Sequence, residues 1–166
     1  MIATIISILG LVIFDRASKV VLELVLADRG LVVLIPNILG LRLLEGGNTG
    51  AAFGMLSGNT FFLIFMTAIV LIIMIYVLLF KKFRSPVMKW ALILVTAGGI
   101  GNLYDRIVYG SVTDFFEFLF MKFAVFNVAD CFICVGAFIA VVYLLATLKE
   151  KSIFIKEDSS EQKHEQ

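Results

Sequence analysis

The sequence is poor in the side chains that most water-soluble enzymes work with. It has a single histidine, His164, in a polar C-terminal stretch. That excludes Ser–His and Cys–His nucleophilic catalysis in the apolar body of the chain, and any metal site built from histidines. Its two cysteines, Cys131 and Cys134, are too few for a disulfide framework. Only 16% of the 166 residues are charged, and 14 basic against 13 acidic groups leave a formal net charge of +1. No excess of one sign is available to bind nucleic acid.

Apolar side chains fill the remainder, at 61% of the chain. Mean hydropathy is +1.04. Soluble domains hold nearer 45–50% apolar residues, and a fold this small has too much surface to hide the excess. The excess is expected to face lipid. Crossing a hydrocarbon core of about 30 Å takes roughly 20 helical residues. Residues 60–80 are an uncharged run of that length. Residues 131–148 form a second run, extended backward through 126–130. Residues 2–14 continue helically through Asp15, Arg16 and Lys19, and residues 90–104 stop at Asp105 and Arg106. The pattern predicts an all-α membrane protein with four transmembrane helices, near 2–26, 60–80, 88–107 and 127–148. The first is not expected to be a cleaved signal peptide, because it lacks a basic leading region and carries charge where a small-residue cleavage site belongs.

Loop charges set the expected orientation. Lys81, Lys82, Arg84 and Lys89 stand together without an acid, whereas Asp28, Arg29, Arg42 and Glu45 cancel. Excess positive charge stays in the cytoplasm, so four spans put both termini there. The reading is one membrane domain over 1–150 and a polar cytoplasmic tail over 151–166, disordered from Lys156 to Gln166. Residues 31–45, punctuated by Pro36 and Gly40, predict a small extended or sheet-like extracytoplasmic element between the first two helices. The phenylalanine-rich stretch 108–126 predicts a segment dipping into the interface.

Helix counts bring the polar residues to one level. Asp105 lies roughly 24 Å along its helix from Lys89, Asp130 roughly 27 Å from Leu148, and Asp15 and Lys19 about 21 and 27 Å from Met1. All arrive near the outer face, and charge at membrane depth is costly enough to demand a partner or a cavity. Each has a plainer reading. Asp15 and Lys19, four residues apart, neutralise each other on one helix face. Asp105 reads as an interfacial helix stop, and Arg106 as the holder of a buried carboxylate or of backbone carbonyls of the site. Asn127 and Asp130 fit an N-cap and N3 pair as well as they fit a site. Asp114, among aromatics in VTDFF, gains nothing structurally without a partner. In residues 47–54, GNTGAAFG, Asn48 offers one amide that both donates and accepts. Gly98, Gly99 and Gly101 predict close helix packing, and the Cys131/Cys134 pair reads as two buried small hydrophobes.

Carboxylate and lysine are the only bases at that depth. Two aspartates on different segments, Asp114 and Asp130, are able to share one proton, the ionised one activating water and the protonated one polarising a peptide carbonyl. Proton-coupled carriers also place carboxylates in membrane helices, although this chain has no internal repeat. Spacing alone leaves both readings open.

Five blocks, in order, resemble the lipoprotein signal peptidases (signal peptidase II), the membrane aspartyl proteases of bacteria. They are DRASK (15–19), NTGAAFG (48–54), GGIGNLYDR (98–106), VTDF (112–115) and FNVAD (126–130). The resemblance implies that Asp114 and Asp130 form the catalytic dyad. It implies that Asn48, Asn102, Arg106 and Asn127 orient dyad and substrate, with Asp15 and Lys19 in support. It further implies diacylglyceryl-modified prolipoprotein substrates cut on the N-terminal side of the lipidated cysteine, sensitivity to globomycin, and a bacterial cytoplasmic membrane location with the site near the outer leaflet. A monomer in membrane lipid, without cofactor, metal or nucleic acid, is expected. Glu117 stands where relatives often carry Asp, which touches substrate fit and not chemistry.

Overall fold

A computed structural model describes residues 1–44, 46–50 and 59–164, with side chains as far as residue 148. Four helices form: α1 (Ile2–Leu26), α2 (Thr60–Phe80), α3 (Pro86–Tyr109) and α4 (Val128–His164). Three of them, α2, α3 and residues Val128–Leu148 of α4, are long and apolar enough to cross a membrane. Helix α1 has the length, at 25 residues, but carries Asp15, Arg16, Lys19 and Glu23 in its second half.

Local chemistry explains where α3 starts and stops. The Ser85 side chain accepts a bond from Met88 N at 3.4 Å, Pro86 occupies the first turn, and Gly110 ends the helix at φ 76°. Helix α3 is the hub, packed against α4, α1 and α2. Its glycines permit this. A Cβ at Gly98 would collide with the Ala129 carbonyl oxygen of α4, one at Gly101 with Asp15 Oδ2 of α1, and one at Gly99 would lie 2.8 Å from Leu71 Cδ2 of α2. The outward faces of α2 and α4 are apolar and exposed, as lipid-facing helices require.

The extended element between α1 and α2 forms as β1 (Val32–Ile35) and β2 (Leu39–Leu41), with Asn37 at φ 58° in the turn between them. The sheet has a third strand that the sequence reading missed. Part of the aromatic stretch, β3 (Phe116–Phe118), pairs antiparallel with β2 in the register Leu41↔Phe116 and Leu39↔Phe118. The fold is therefore mostly helical with a three-stranded sheet, and the 108–126 stretch is anchored to that sheet. Leu26 of α1, Leu41 and Phe115 form a small core joining helix and sheet. A second departure concerns the C-terminus. The expected disordered tail is backbone-helical to His164, because α4 propagates one hydrogen bond at a time beyond its apolar turns.

Candidate active site

Helix α4 begins at the site, and its first turn is fully engaged. Asn127 N donates to Asp130 Oδ2 and Asp130 N donates to Asn127 Oδ1, each at 3.0 Å. Ala129 N donates to Asp15 Oδ1 at 2.9 Å, which puts a carboxylate from α1 at the positive end of α4. Asn127 also looks the other way. Its Nδ2 donates to Asp114 Oδ1 at 2.6 Å and to Asn102 Oδ1 at 3.2 Å. One amide thus caps a helix and ties the two aspartates of the resemblance into a single network.

The second oxygens are held as firmly. Asn48 Nδ2 donates to Asp114 Oδ2 at 2.9 Å, and Asn102 Nδ2 donates to Asp130 Oδ1 at 2.7 Å. Asn48 is placed by two backbone bonds with Val112, of 2.8 and 2.9 Å. Burial, opposed by the Asn48 amide and assisted by the Asp130 charge, pushes the Asp114 carboxyl up to about 6. Asp114 is buried, whereas Asp130 is half-exposed.

Beneath this pair lies a buried ion cluster. Lys19, fully buried, donates to Asp15 Oδ2 at 2.9 Å and Asn102 Oδ1 at 3.1 Å, and its ammonium pairs with Asp105 Oδ2 at 2.7 Å. The helix-face pairing of Asp15 with Lys19 therefore holds, and the same ammonium also bridges to α3. Asp105 is not the interfacial stop expected of it. It is buried between Lys19 and Arg16, whose Nη1 lies 3.0 Å from Asp105 Oδ1. Arg16 rests over the Tyr109 ring at 4.6 Å and donates to its hydroxyl. Two cations and two carboxylates close this cluster, as buried charge requires.

Arg106 takes the second of its two expected arrangements, holding backbone carbonyls. It hydrogen-bonds no carboxylate among the described residues. Its Nη2 donates to the Gly50 carbonyl at 2.9 Å and its Nη1 to the Asn102 carbonyl at 3.3 Å, and its buried Nε has no partner among the described residues. It pins α3 to the chain that carries Asn48. Of GNTGAAFG, residues 51–54 lie outside the described residues. Glu117 takes two bonds from Arg42, of 2.8 and 2.7 Å, across β2 and β3.

A groove of about 490 Å³ opens beside the network, lined by Asn48, Arg106 and Asp130 at its polar end and by Phe118, Phe126 and Ile133 along its apolar wall. Cys131 and Cys134 line the same groove, half-buried and exposed. They are therefore not the buried core residues expected. All eight expected site residues fall in one connected cluster, drawn from α1, α3, α4 and three loops. Glu23 is a polar residue of α1 that the sequence reading passed over. It accepts a bond from Thr113 Oγ1 at 2.5 Å, and its place four residues beyond Lys19 was the available signal.

An apolar helix bundle with carboxylates gathered beside a groove defines an integral membrane protein with a polar site. Comparison with known proteins gives the family. A family model described as signal peptidase (SPase) II matches residues 7–146. The chain is 41% identical to the lipoprotein signal peptidase of Caldanaerobacter subterraneus subsp. tengcongensis over 133 residues, covering 80% of this chain and 89% of that one. It is 35% identical to that of Streptococcus pyogenes, with 84% and 91% covered. A bacterial membrane enzyme solved by the in meso method at 2.3 Å resolution superposes with a TM-score of 0.79 at 29% identity, covering 91% and 92% of the two chains. A second, at 1.9 Å, gives 0.73 at 30% identity, with 87% and 94% covered. The chain belongs to the signal peptidase II family, the lipoprotein signal peptidases. It is a protease of that family, and its activity is the removal of signal peptides from prolipoproteins.

Proposed function

We propose that the enzyme is an aspartyl endopeptidase that cuts diacylglyceryl-modified prolipoproteins on the N-terminal side of the lipidated cysteine, with Asp114 and Asp130 as the catalytic pair. The observation that carries this reading is Asn127, whose side-chain Nδ2 donates to the buried Asp114 carboxylate and whose backbone N–H donates to the Asp130 carboxylate facing the groove. Like charges so placed cannot both ionise cheaply, and the buried Asp114 holds the pair's proton below about 6. The ionised carboxylate takes a proton from water as the water oxygen attacks the scissile carbonyl carbon. The protonated one donates to the carbonyl oxygen, and the leaving amine is protonated as the C–N bond breaks. Asn48, Asn102 and Asn127 hold the carboxylates in place, and Arg106 together with the Asp15–Lys19 pair holds the elements that carry them.

The groove's apolar wall and polar end suit a substrate anchored by acyl chains with its peptide bond at the interface. In this reading α1 is the fourth span, its charges neutralised inside the bundle. Both termini face the cytoplasm, the protein is a monomer in the bacterial cytoplasmic membrane, and the site lies near the outer leaflet. The test is cleavage by the purified protein of one precursor prepared with and without its diacylglyceryl group. Cleavage of the lipidated form alone, leaving the lipidated cysteine as the new N-terminus, is expected. Equal cleavage of both forms, or a cut elsewhere, contradicts the substrate assignment.

A further inference from the structure

Asp15, Lys19 and Glu23 stand four residues apart, along one face of α1. Each holds a different piece of the site. Asp15 accepts from Ala129 N at the start of α4. Lys19 bonds Asn102 and pairs with Asp105 on α3. Glu23 accepts from the Thr113 hydroxyl, in the loop that carries Asp114. The first two rungs belong to the support already described. The third has no role in it.

Thr113 immediately precedes Asp114, and the two side chains are held from opposite directions. Thr113 bonds α1, whereas Asp114 bonds Asn48 and Asn127. Leu22 and Leu26 of α1 pack around Phe115 next door. Apolar contact keeps helix and loop together, but it is non-directional and fixes position along the helix only loosely. A hydroxyl donating to a carboxylate is directional and charge-assisted. Other bonds to the loop come from the opposite side, from Arg42 N to Phe115 O at 2.9 Å and from Leu44 N to Asp114 O at 3.3 Å. Glu23 supplies the polar restraint from α1.

We propose that Glu23 is a positioning residue for peptide hydrolysis: through Thr113 it fixes where the Asp114 carboxylate stands relative to Asn127 and Asp130. The inference rests on the proposed catalytic role of Asp114. The geometry matters because general acid–base groups lose rate when displaced by even a fraction of an ångström to about 1 Å. It also follows that the carboxylate's acceptor oxygen, and not its charge as such, is what the site uses.

The experiment measures kcat and KM on a lipidated prolipoprotein for Thr113→Val, Glu23→Ala, their double variant and Glu23→Gln, each normalised to folded protein by thermal melting in detergent. Thr113→Val keeps the side-chain shape and removes the donor, so kcat is expected to fall about tenfold with KM nearly constant. Glu23→Ala should fall as far, and the double variant no further, because both remove one bond. Glu23→Gln, which retains an acceptor oxygen, should restore kcat to within about threefold of wild type. Wild-type kcat in Thr113→Val, or losses that multiply in the double variant, would overturn the proposal. Should Glu23→Ala fail to fold, Thr113→Val and Glu23→Gln decide it. Asp114→Asn, run alongside, separates the two readings. If it is inactive while Thr113→Val is unimpaired, only the role of Glu23 falls. If it is active, the catalytic assignment falls as well.

Discussion

Asn127 and Asp130 hold each other across the first turn of α4, backbone N–H to side-chain oxygen in both directions, at 3.0 Å each. This is the reciprocal geometry of a capping box, built with Asn and Asp. Capping and site assembly therefore coincide. The bonds that satisfy the helix start also fix one Asp130 oxygen, and they leave the Asn127 amide nitrogen aimed at Asp114.

The buried cluster under the site gives a stability prediction. Lys19→Met preserves bulk but leaves Asp15 without its ammonium and Asp105 with Arg16 alone. Removing one partner of a buried ion pair costs about 3–5 kcal/mol. The variant should show a strongly lowered melting temperature in detergent and a poor yield of folded protein. A melting temperature within a degree or two of wild type would mean that the cluster is hydrated and not buried.

Arg106 gives a test of planar recognition. Its two terminal nitrogens reach two carbonyl oxygens, on Gly50 and Asn102, in different parts of the chain. A lysine ammonium reaches one of these at a time. Losing a charge-assisted bond worth about 1.5–3 kcal/mol should lower cleavage by Arg106→Lys one to two orders of magnitude, if it is felt fully at the transition state. Equal turnover at matched expression would reduce Arg106 to a membrane anchor, since lysine snorkels as well.

The Asp114 carboxyl, raised to about 6, sets the expected pH profile. The active pair carries one proton, held on Asp114 below about 6. As pH rises through about 6 that proton is lost, no acid remains to polarise the carbonyl oxygen and kcat/KM declines. For folding the direction is the same. The shift favours protonated Asp114 in the folded protein, so the associated stability is present below the unfolded value near 4 and is lost as pH rises through about 6. Asn48 donates to the ionised form, so Asn48→Ala should move this alkaline limb to higher pH. A limb that stays in place or moves downward would detach Asp114 from the rate.

Orientation is checked by cysteine labelling in intact cells, in a background with Cys131 and Cys134 replaced. Reporters at Ser85 and Gln162 should be protected from an impermeant reagent, and one at Asp28 should react. Labelling at Ser85 from outside would invert the protein and move the polar network to the inner leaflet.

The helices and part of the cluster were legible in the sequence because long apolar runs and costly intramembrane charge leave few alternatives. Asp15, Lys19, Arg106 and Asp130 stood out for that reason, Asn48, Asp114 and Asn127 for their local sequence, and Asn102 only through the family resemblance; all eight meet. What escaped depends on distant partners. Asp105 beside Arg106 looks like a helix stop until α1 brings Lys19 and Arg16 against it. Strand β3 lies in a run so rich in phenylalanine that inward and outward positions look alike, and its partner β2 is some 75 residues away. Glu23 looks like a polar residue near a helix end, and only its contact with Thr113 distinguishes it.

The most direct test of the catalytic pair is cleavage of a purified, lipidated prolipoprotein in detergent by wild type, Asp114→Asn and Asp130→Asn. Each amide is nearly isosteric with its acid but cannot exchange the proton on which the chemistry depends. Both variants are expected to insert and fold yet to leave the precursor uncut under conditions in which wild type converts it fully. Turnover at the wild-type rate by either variant would contradict the account.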